Sequence, residues 1–199
     1  MQILKDKKEL YKINIHHYNV NMMIKKHLQS RYLDMNLHSV WIDETEGVAT
    51  FPLWNISGKL VGYQQYRPSA DKLKKNHPKM GRYFTYLKER VVGVWGLESW
   101  NLSKTLFVTE GVFDACRLTY NGFSAIATLS NDVSLSLESW LWIVRQNRFV
   151  VTVCDNDVAG RKLSKFGHRA HFVENGDLGD ASDAEVKKLL KKYEKELDI

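Results

Sequence analysis

Acidic side chains recur in this 199-residue chain where carboxylates could gather around a phosphate-bound cation. They are Glu110 in TLFVTEG, Asp155 and Asp157 in FVVTVCDNDVAGRK, and Asp180 and Asp183 in GDASD. The first two groups each follow an apolar, β-branched run and precede a helical pattern. In an open α/β sheet, ligands bind beyond the carboxyl ends of the strands. Carboxylates arriving there from separate strands supply the oxygen donors that Mg2+ prefers. That is chemistry suited to phosphoryl transfer. Each carboxylate also has a plainer reading, since a lone Glu after a strand is commonly solvated and Asp-X-Asp before a helix commonly caps it. The combination favours a site. Gly111 permits a tight strand-to-helix turn after Glu110, Ala159 and Gly160 keep the next turn narrow, and Arg161 and Lys162 place positive charge beside an anionic substrate. Asp114, one helical turn after Glu110, is read as structural, capping or pairing with a base.

The elements that must position these residues follow from periodicity. The first forty residues read as helical, with Leu10, Ile13 and His17, then Met23, Ile24, Leu28 and Tyr32 at roughly helical spacing. VWI and VATFPLW read as strands, NISGK as a turn at Gly58, and LVGYQQY as the returning strand of a hairpin. Residues 68–81, with two prolines, a glycine and four lysines, read as a mobile loop, and RYFTY and VVGVW as two further strands. After residue 104 strands and helices alternate. TLFVTE leads to a helix stopped by Gly122, SAIATL to a helix capped by Ser134 or Ser136, FVVTVCD to VAGRKLSKFG, and HRAHFVE to a last helix capped by Ser182. Such alternation predicts a parallel sheet covered by helices. The expected class is α/β: an N-terminal α+β subdomain over residues 1–100, mostly antiparallel, and a Rossmann-like subdomain with flanking helices over 101–199.

Composition narrows the function classes. An apolar content of 44% with 12% aromatics is that of a globular protein. No apolar run reaches the length that spans a bilayer, and MQILKDKKELYK lacks the apolar core of a signal peptide, so a cytoplasmic protein without a membrane partner is expected. Cys116 and Cys154 lie in apolar stretches, read as buried thiols, and two cysteines cannot form a zinc ribbon. The net charge is +6, and residues 59–90 hold nine basic residues against two acids. Tyr63, Tyr66, Tyr83, Phe84 and Tyr86 are interleaved with that charge. Cations for phosphates and rings for bases suit a nucleic-acid strand; the alternative is a solvated loop. Arg67, at a strand end, and Arg82, just before an aromatic strand, are the better candidates for ordered contacts.

At the acidic residues the chain resembles the TOPRIM domain, the metal-binding fold shared by primases, topoisomerases and several nucleases. TEGVFDA is similar to the Glu-Gly-X-X-Asp element of the bacterial and phage (DnaG-like) primase branch. ATLS resembles its Ala-Thr-Leu-Gly element, and DNDVAGRK its Asp-X-Asp-X-Ala-Gly-Arg-Lys element; GDASD is similar to a late Asp-Pro-Asp or Asp-Ala-Asn element. Upstream, FPLWNISGKLVGYQQYRP resembles the branch's hairpin and maps a family basic residue onto Arg67. GRYFTY matches a Lys-Tyr-Leu-Asn element with Arg82 in the lysine's place, and VWGLESW a Tyr-Gly-Leu element.

The resemblance implies a primase RNA-polymerase core that makes short RNA primers on single-stranded DNA from ribonucleoside triphosphates. It implies Mg2+ or Mn2+ on Glu110, Asp155 and Asp157, with Asp180 and then Asp183 completing the shell. Arg67, Lys79, Arg82, Arg161 and Lys162 would contact nucleic acid or nucleotide. Ser130 stands where the branch has Gly. No zinc module or helicase-binding module is matched, which leads us to expect a replicative helicase or a separate template-recognition subunit as partner, and a phage origin. A TOPRIM nuclease using the same carboxylates and a non-catalytic nucleic-acid-binding protein are the alternatives.

Overall fold

The computed structural model describes residues 24–72, 77–89, 91–100, 105–130, 134–158, 160–174 and 176–194. The helical reading through Leu10, Ile13, His17 and Met23 lies outside these residues, as do Lys74, Lys75, Arg90 and Ala159.

Helix α1 is described at residues 24–30, with Ile24 and Leu28 buried one turn apart. It stops earlier than the sequence pattern predicts. The Tyr32 N–H donates to the Gln29 carbonyl and the Leu33 N–H to the Leu28 carbonyl, the double bond of a Schellman stop. Tyr32 takes the left-handed conformation (φ 64°) that glycine would ordinarily supply. Its ring is held under the buried Arg117 guanidinium at 3.7 Å, and that packing opposes the backbone strain.

An antiparallel sheet follows in the order β1-β2-β3-β4, from β1 (Trp41–Asp43), β2 (Val48–Trp54), β3 (Leu60–Tyr66) and β4 (Tyr83–Leu87). The predicted hairpin turn is present, with Gly58 at φ 72°. Alternation along β2 sends Ala49, Phe51 and Leu53 into the core. The predicted strand VVGVW is instead two isolated bridges. Val94 exchanges both backbone hydrogen bonds with Trp54, and Trp95 exchanges both with Ala127. This two-residue link ties the first sheet to the second, one residue bonded to each sheet.

The second sheet is parallel throughout, in the order β6-β5-β7-β8, from β5 (Thr105–Thr109), β6 (Ser124–Ala127), β7 (Phe149–Asp155) and β8 (Arg169–Val173). All residues of β5 and β6 are buried, as expected of parallel strands covered on both faces. Helices α2 (Val112–Thr119) and α5 (Asp183–Glu194) pack on one face with Phe107, Val151 and Val153. Helices α3 (Leu135–Arg145) and α4 (Gly160–Leu163) cover the other with Leu106, Val108 and Val150. Ser134, rather than Ser136, caps α3 through the Leu137 N–H, and Ser182 and Glu185 form a reciprocal capping box on α5. The helix predicted over VAGRKLSKFG is shorter: α4 gives way to a 3-10 turn at Ser164–Phe166. Cys116 and Cys154 are buried and unpaired. Among the described residues no helix is long and apolar enough to cross a membrane. The protein is thus a mixed α/β fold: a parallel sheet between helices beside an antiparallel sheet.

Candidate active site

The carboxyl ends of β5 and β7 open into a cleft of about 350 Å3, walled on its far side by the inward face of β3 and β4. Its lining includes Glu110, Asp114, Asp155 and Asp177 from the parallel-sheet side, Gln64, Tyr83 and Thr85 from the antiparallel sheet, and Arg31 from the end of α1. Two residues that sequence alone placed in separate strands, Glu110 and Asp155, are therefore brought to one space.

Local structure explains how each arrives. Gly111 has an ordinary extended backbone (φ −90°, ψ 149°), so a tight turn is not what requires glycine there. A Cβ at this position would lie 2.7 Å from Asp114 Oδ2; glycine admits that carboxylate. At Gly160 a Cβ would lie 2.1 Å from the Asp155 carbonyl oxygen, so α4 can start against the end of β7 only with glycine. Asp157 fulfils the capping reading, its Oδ1 accepting the Gly160 N–H at 2.7 Å, while the residue remains exposed. Beyond β6, Leu129 adopts φ 61° and donates its N–H to the Glu110 carbonyl, a strained non-glycine backbone on the cleft wall.

Carboxylates gathered in the partly buried cleft shift one another's ionisation. Burial and then the charge of Asp177 push the Asp114 carboxyl up to about 7, against the hydrogen bond it accepts from the Gly179 N–H at 2.9 Å. That bond is structural, as read for Asp114, but it ties down a loop amide rather than capping its own helix or pairing with a base. Asp155 is raised too, by burial and then by Asp157 and Asp177, with Lys72 opposing. The Cys154 thiol is pushed up to about 11 by burial, with Asp155 and Glu110 adding to the effect. Tyr83 is raised to about 12, by burial first and then by Tyr66. Like-charged carboxylates that raise one another's pKa are a setting in which a cation is favoured.

Among the described residues, no three His, Cys, Asp or Glu side chains are close enough together to hold one metal ion. The donor chemistry nevertheless fits Mg2+ or Mn2+, since the facing groups are carboxylate oxygens.

The other sequence candidates are distributed more widely. Asp180 lies outside the cleft lining, its exposed carboxylate paired with Arg31, and Asp183 pairs with the buried Arg117. Arg161 and Lys162 are exposed on the first turn of α4. Lys79 is exposed in a 3-10 turn at Pro78–Met80. The Arg82 Nε–H donates to the Ala70 carbonyl, and Arg67 donates to Gln65 on the face of the sheet away from the cleft. Sequence reasoning did not single out Asp177 or Arg31. Asp177 carried one signal, its place three residues before Asp180, whose N–H it caps. Arg31 carried none: only tertiary packing brings it within 3.7 Å of Asp177 and over the Phe113 ring.

No protein-family profile matches the chain, and no curated protein matches it in sequence. Solved structures do match it. The primase fragment of the bacteriophage T7 primase-helicase protein superposes with a TM-score of 0.58 at 14% identity, covering 77% of this chain and 68% of that one. A DnaG catalytic core gives 0.54 at 18% identity, covering 72% and 52%. A DnaG primase catalytic domain bound to single-stranded DNA gives 0.54 at 17% identity, covering 76% and 57%. The chain thus spans about half the length of the two DnaG structures. Two sheets with this pairing and these flanking helices make the fold of the protein that of the DnaG-type primase catalytic core.

Proposed function

We propose that the chain is the catalytic core of a primase, a nucleotidyltransferase that joins ribonucleotides on a single-stranded DNA template. The observation that carries this reading is the delivery of Glu110 and Asp155, from the ends of two parallel strands, into one cleft of a primase-like fold. Glu110 and Asp155 in the cleft, with Asp157 on the adjoining turn drawn in, would hold Mg2+ or Mn2+, which would supply charge neutralisation at a triphosphate and a lower pKa for the attacking 3′-hydroxyl. The chain's own residues bind and orient. Arg31, at the cleft wall, and Lys72, whose charge reaches Asp155, offer positive charge to the phosphates. Gln64, which donates to Thr85 Oγ1 at 2.9 Å, gives the opposite wall a fixed polar surface. Asp114 holds the loop at Gly179 and with it Asp177. Arg82, Arg161 and Lys162 would contact a template strand as it reaches the cleft. A replicative helicase or a template-recognition subunit, met in the cytoplasm, completes the reading.

The test is extension of an RNA strand annealed to longer single-stranded DNA, with labelled ribonucleotides and Mg2+. Glu110→Gln is expected to slow incorporation at least about a hundredfold, the loss of about 3 kcal/mol of transition-state stabilisation. Metal-dependent breakdown of the template without incorporation would reassign the same carboxylates to a nuclease.

A further inference from the structure

The five aromatic residues of the basic segment divide between two faces. Side chains alternate along β3 and β4. Tyr83 lines the acidic cleft, and Tyr66, its register partner, is buried beside it. Tyr63, Phe84 and Tyr86 point the other way. The register sets Tyr63 opposite Tyr86 and Gln65 opposite Phe84. The Tyr63 ring stacks on Tyr86 at 5.5 Å with 30° between planes and meets Phe84 at 6.3 Å. Tyr86 is still 52% exposed, so the ladder faces solvent and is not the floor of a core. Cations close it at both ends. Arg67 and Arg82 lie side by side beyond the Gln65–Phe84 row, joined by a backbone hydrogen bond, and Lys88 lies beyond the Tyr63–Tyr86 row, bonded to Val61. Arg67 is turned toward this face, donating to Gln65 Oε1 at 2.9 Å, and its Nη1 is buried without a hydrogen-bond partner.

We propose that the outward face of β3–β4 is a stacking strip for a single-stranded nucleic acid, with bases on Tyr63, Phe84 and Tyr86 and phosphates on Arg67 and Lys88. Charge selects this occupant. Arg67, Arg82 and Lys88 flank the ladder, whereas Asp43, Glu44 and Glu46 lie toward β1 in a hollow shared with Arg67 and would repel a polyanion there. Stacking requires unpaired bases, because a duplex hides their faces. From Arg82 to Lys88 the strip runs about 20 Å at the rise of a β-strand, enough for a few nucleotides. Because β4 is the edge strand, a nucleic acid leaving the strip rounds a single strand to reach the acidic cleft. The strip lies on the opposite face from the carboxylates, so it does not depend on the reaction proposed for them.

Fluorescence anisotropy of labelled oligothymidylate, in chelator and without nucleotides, reads the strip alone. Phe84→Ala combined with Tyr86→Ala is expected to weaken binding about tenfold or more with the salt slope unchanged. Lys88→Ala is expected to reduce the slope by about 0.7. Duplex DNA of the same length should respond little to the aromatic changes. Should the double variant not fold, ultraviolet cross-linking of bromodeoxyuridine-substituted single strands to the unaltered protein decides, with adducts expected on Tyr63, Phe84 or Tyr86. Unchanged affinity in a folded variant, or adducts confined to Tyr66 and Tyr83, would overturn the proposal; a protein partner on this face would give the first result.

Discussion

Asp114 titrates near pH 7 in the folded protein, raised by burial and by the charge of Asp177, whereas an aspartate in an unfolded chain ionises near pH 3.9. Between those values the folded state keeps a proton that the unfolded state has released. Its contribution to stability is therefore greatest below about pH 4 and is lost as pH rises toward 7, amounting to a few kcal/mol in all. Asp114→Asn keeps an acceptor for the Gly179 N–H and cannot ionise. In chelator, its melting temperature should exceed that of the parent protein increasingly from pH 5 to pH 8, and an equal difference at both pH values would contradict this account. At this scale the positions of Glu110 and Asp155 at strand ends were legible, because an apolar run that breaks off at a polar residue marks where a strand stops. The sequence did not reveal Asp177 or Arg31, since an ion pair between α1 and a loop about 150 residues away leaves no local pattern.

The junctions between elements carry the geometry of the site. Gly160→Ala would put a methyl group 2.1 Å from the Asp155 carbonyl, so the end of β7 or the start of α4 must move. The expected cost is about 1–3 kcal/mol, with a loss of ribonucleotide incorporation beyond what the change in stability explains. Gly122→Ala is the comparison. Nothing lies within 4 Å of its would-be Cβ, and the only strain is from φ 84°, so about 1 kcal/mol of stability should be lost with activity intact. Equal activity losses in the two variants would refute the role given to Gly160. Most elements were legible from period and punctuation. The failures share a cause: α1 ends at a tyrosine held left-handed by Arg117, and VVGVW bridges two sheets with one residue bonded to each. Both outcomes depend on partners distant in sequence.

For the molecule as a whole, one buried cluster includes Phe51 and Leu53 of β2, Phe113 of α2, Phe107 of β5 and Val186 of α5, so both sheets share a core. Trp95 sits at their junction, fully buried, bonded through its backbone to Ala127 and packed against Phe51 and His38. Trp95→Ala is expected to cost about 3–5 kcal/mol, and far-ultraviolet circular dichroism and fluorescence should report one coincident denaturation transition in the parent protein. Separate transitions would show that the sheets fold independently. The parallel sheet and the antiparallel hairpin were both legible in advance, because a buried parallel strand and a half-buried antiparallel one differ in pattern. How the two sheets face each other across the carboxylates was not, since that contact is carried by Trp95 and Phe51, which meet from segments distant in sequence.

The most direct measurement is a denaturing gel of the products formed by the purified protein from mixed single-stranded DNA, labelled ribonucleotides and Mg2+ or Mn2+, beside Asp155→Asn. Burial and the charges of Asp157 and Asp177 already burden the Asp155 carboxylate, so the variant should be at least as stable as the parent. Short labelled oligonucleotides from the parent protein, absent with the folded variant, are the predicted result. Identical products from both proteins would contradict the assignment of the acidic cleft as the site of nucleotide joining.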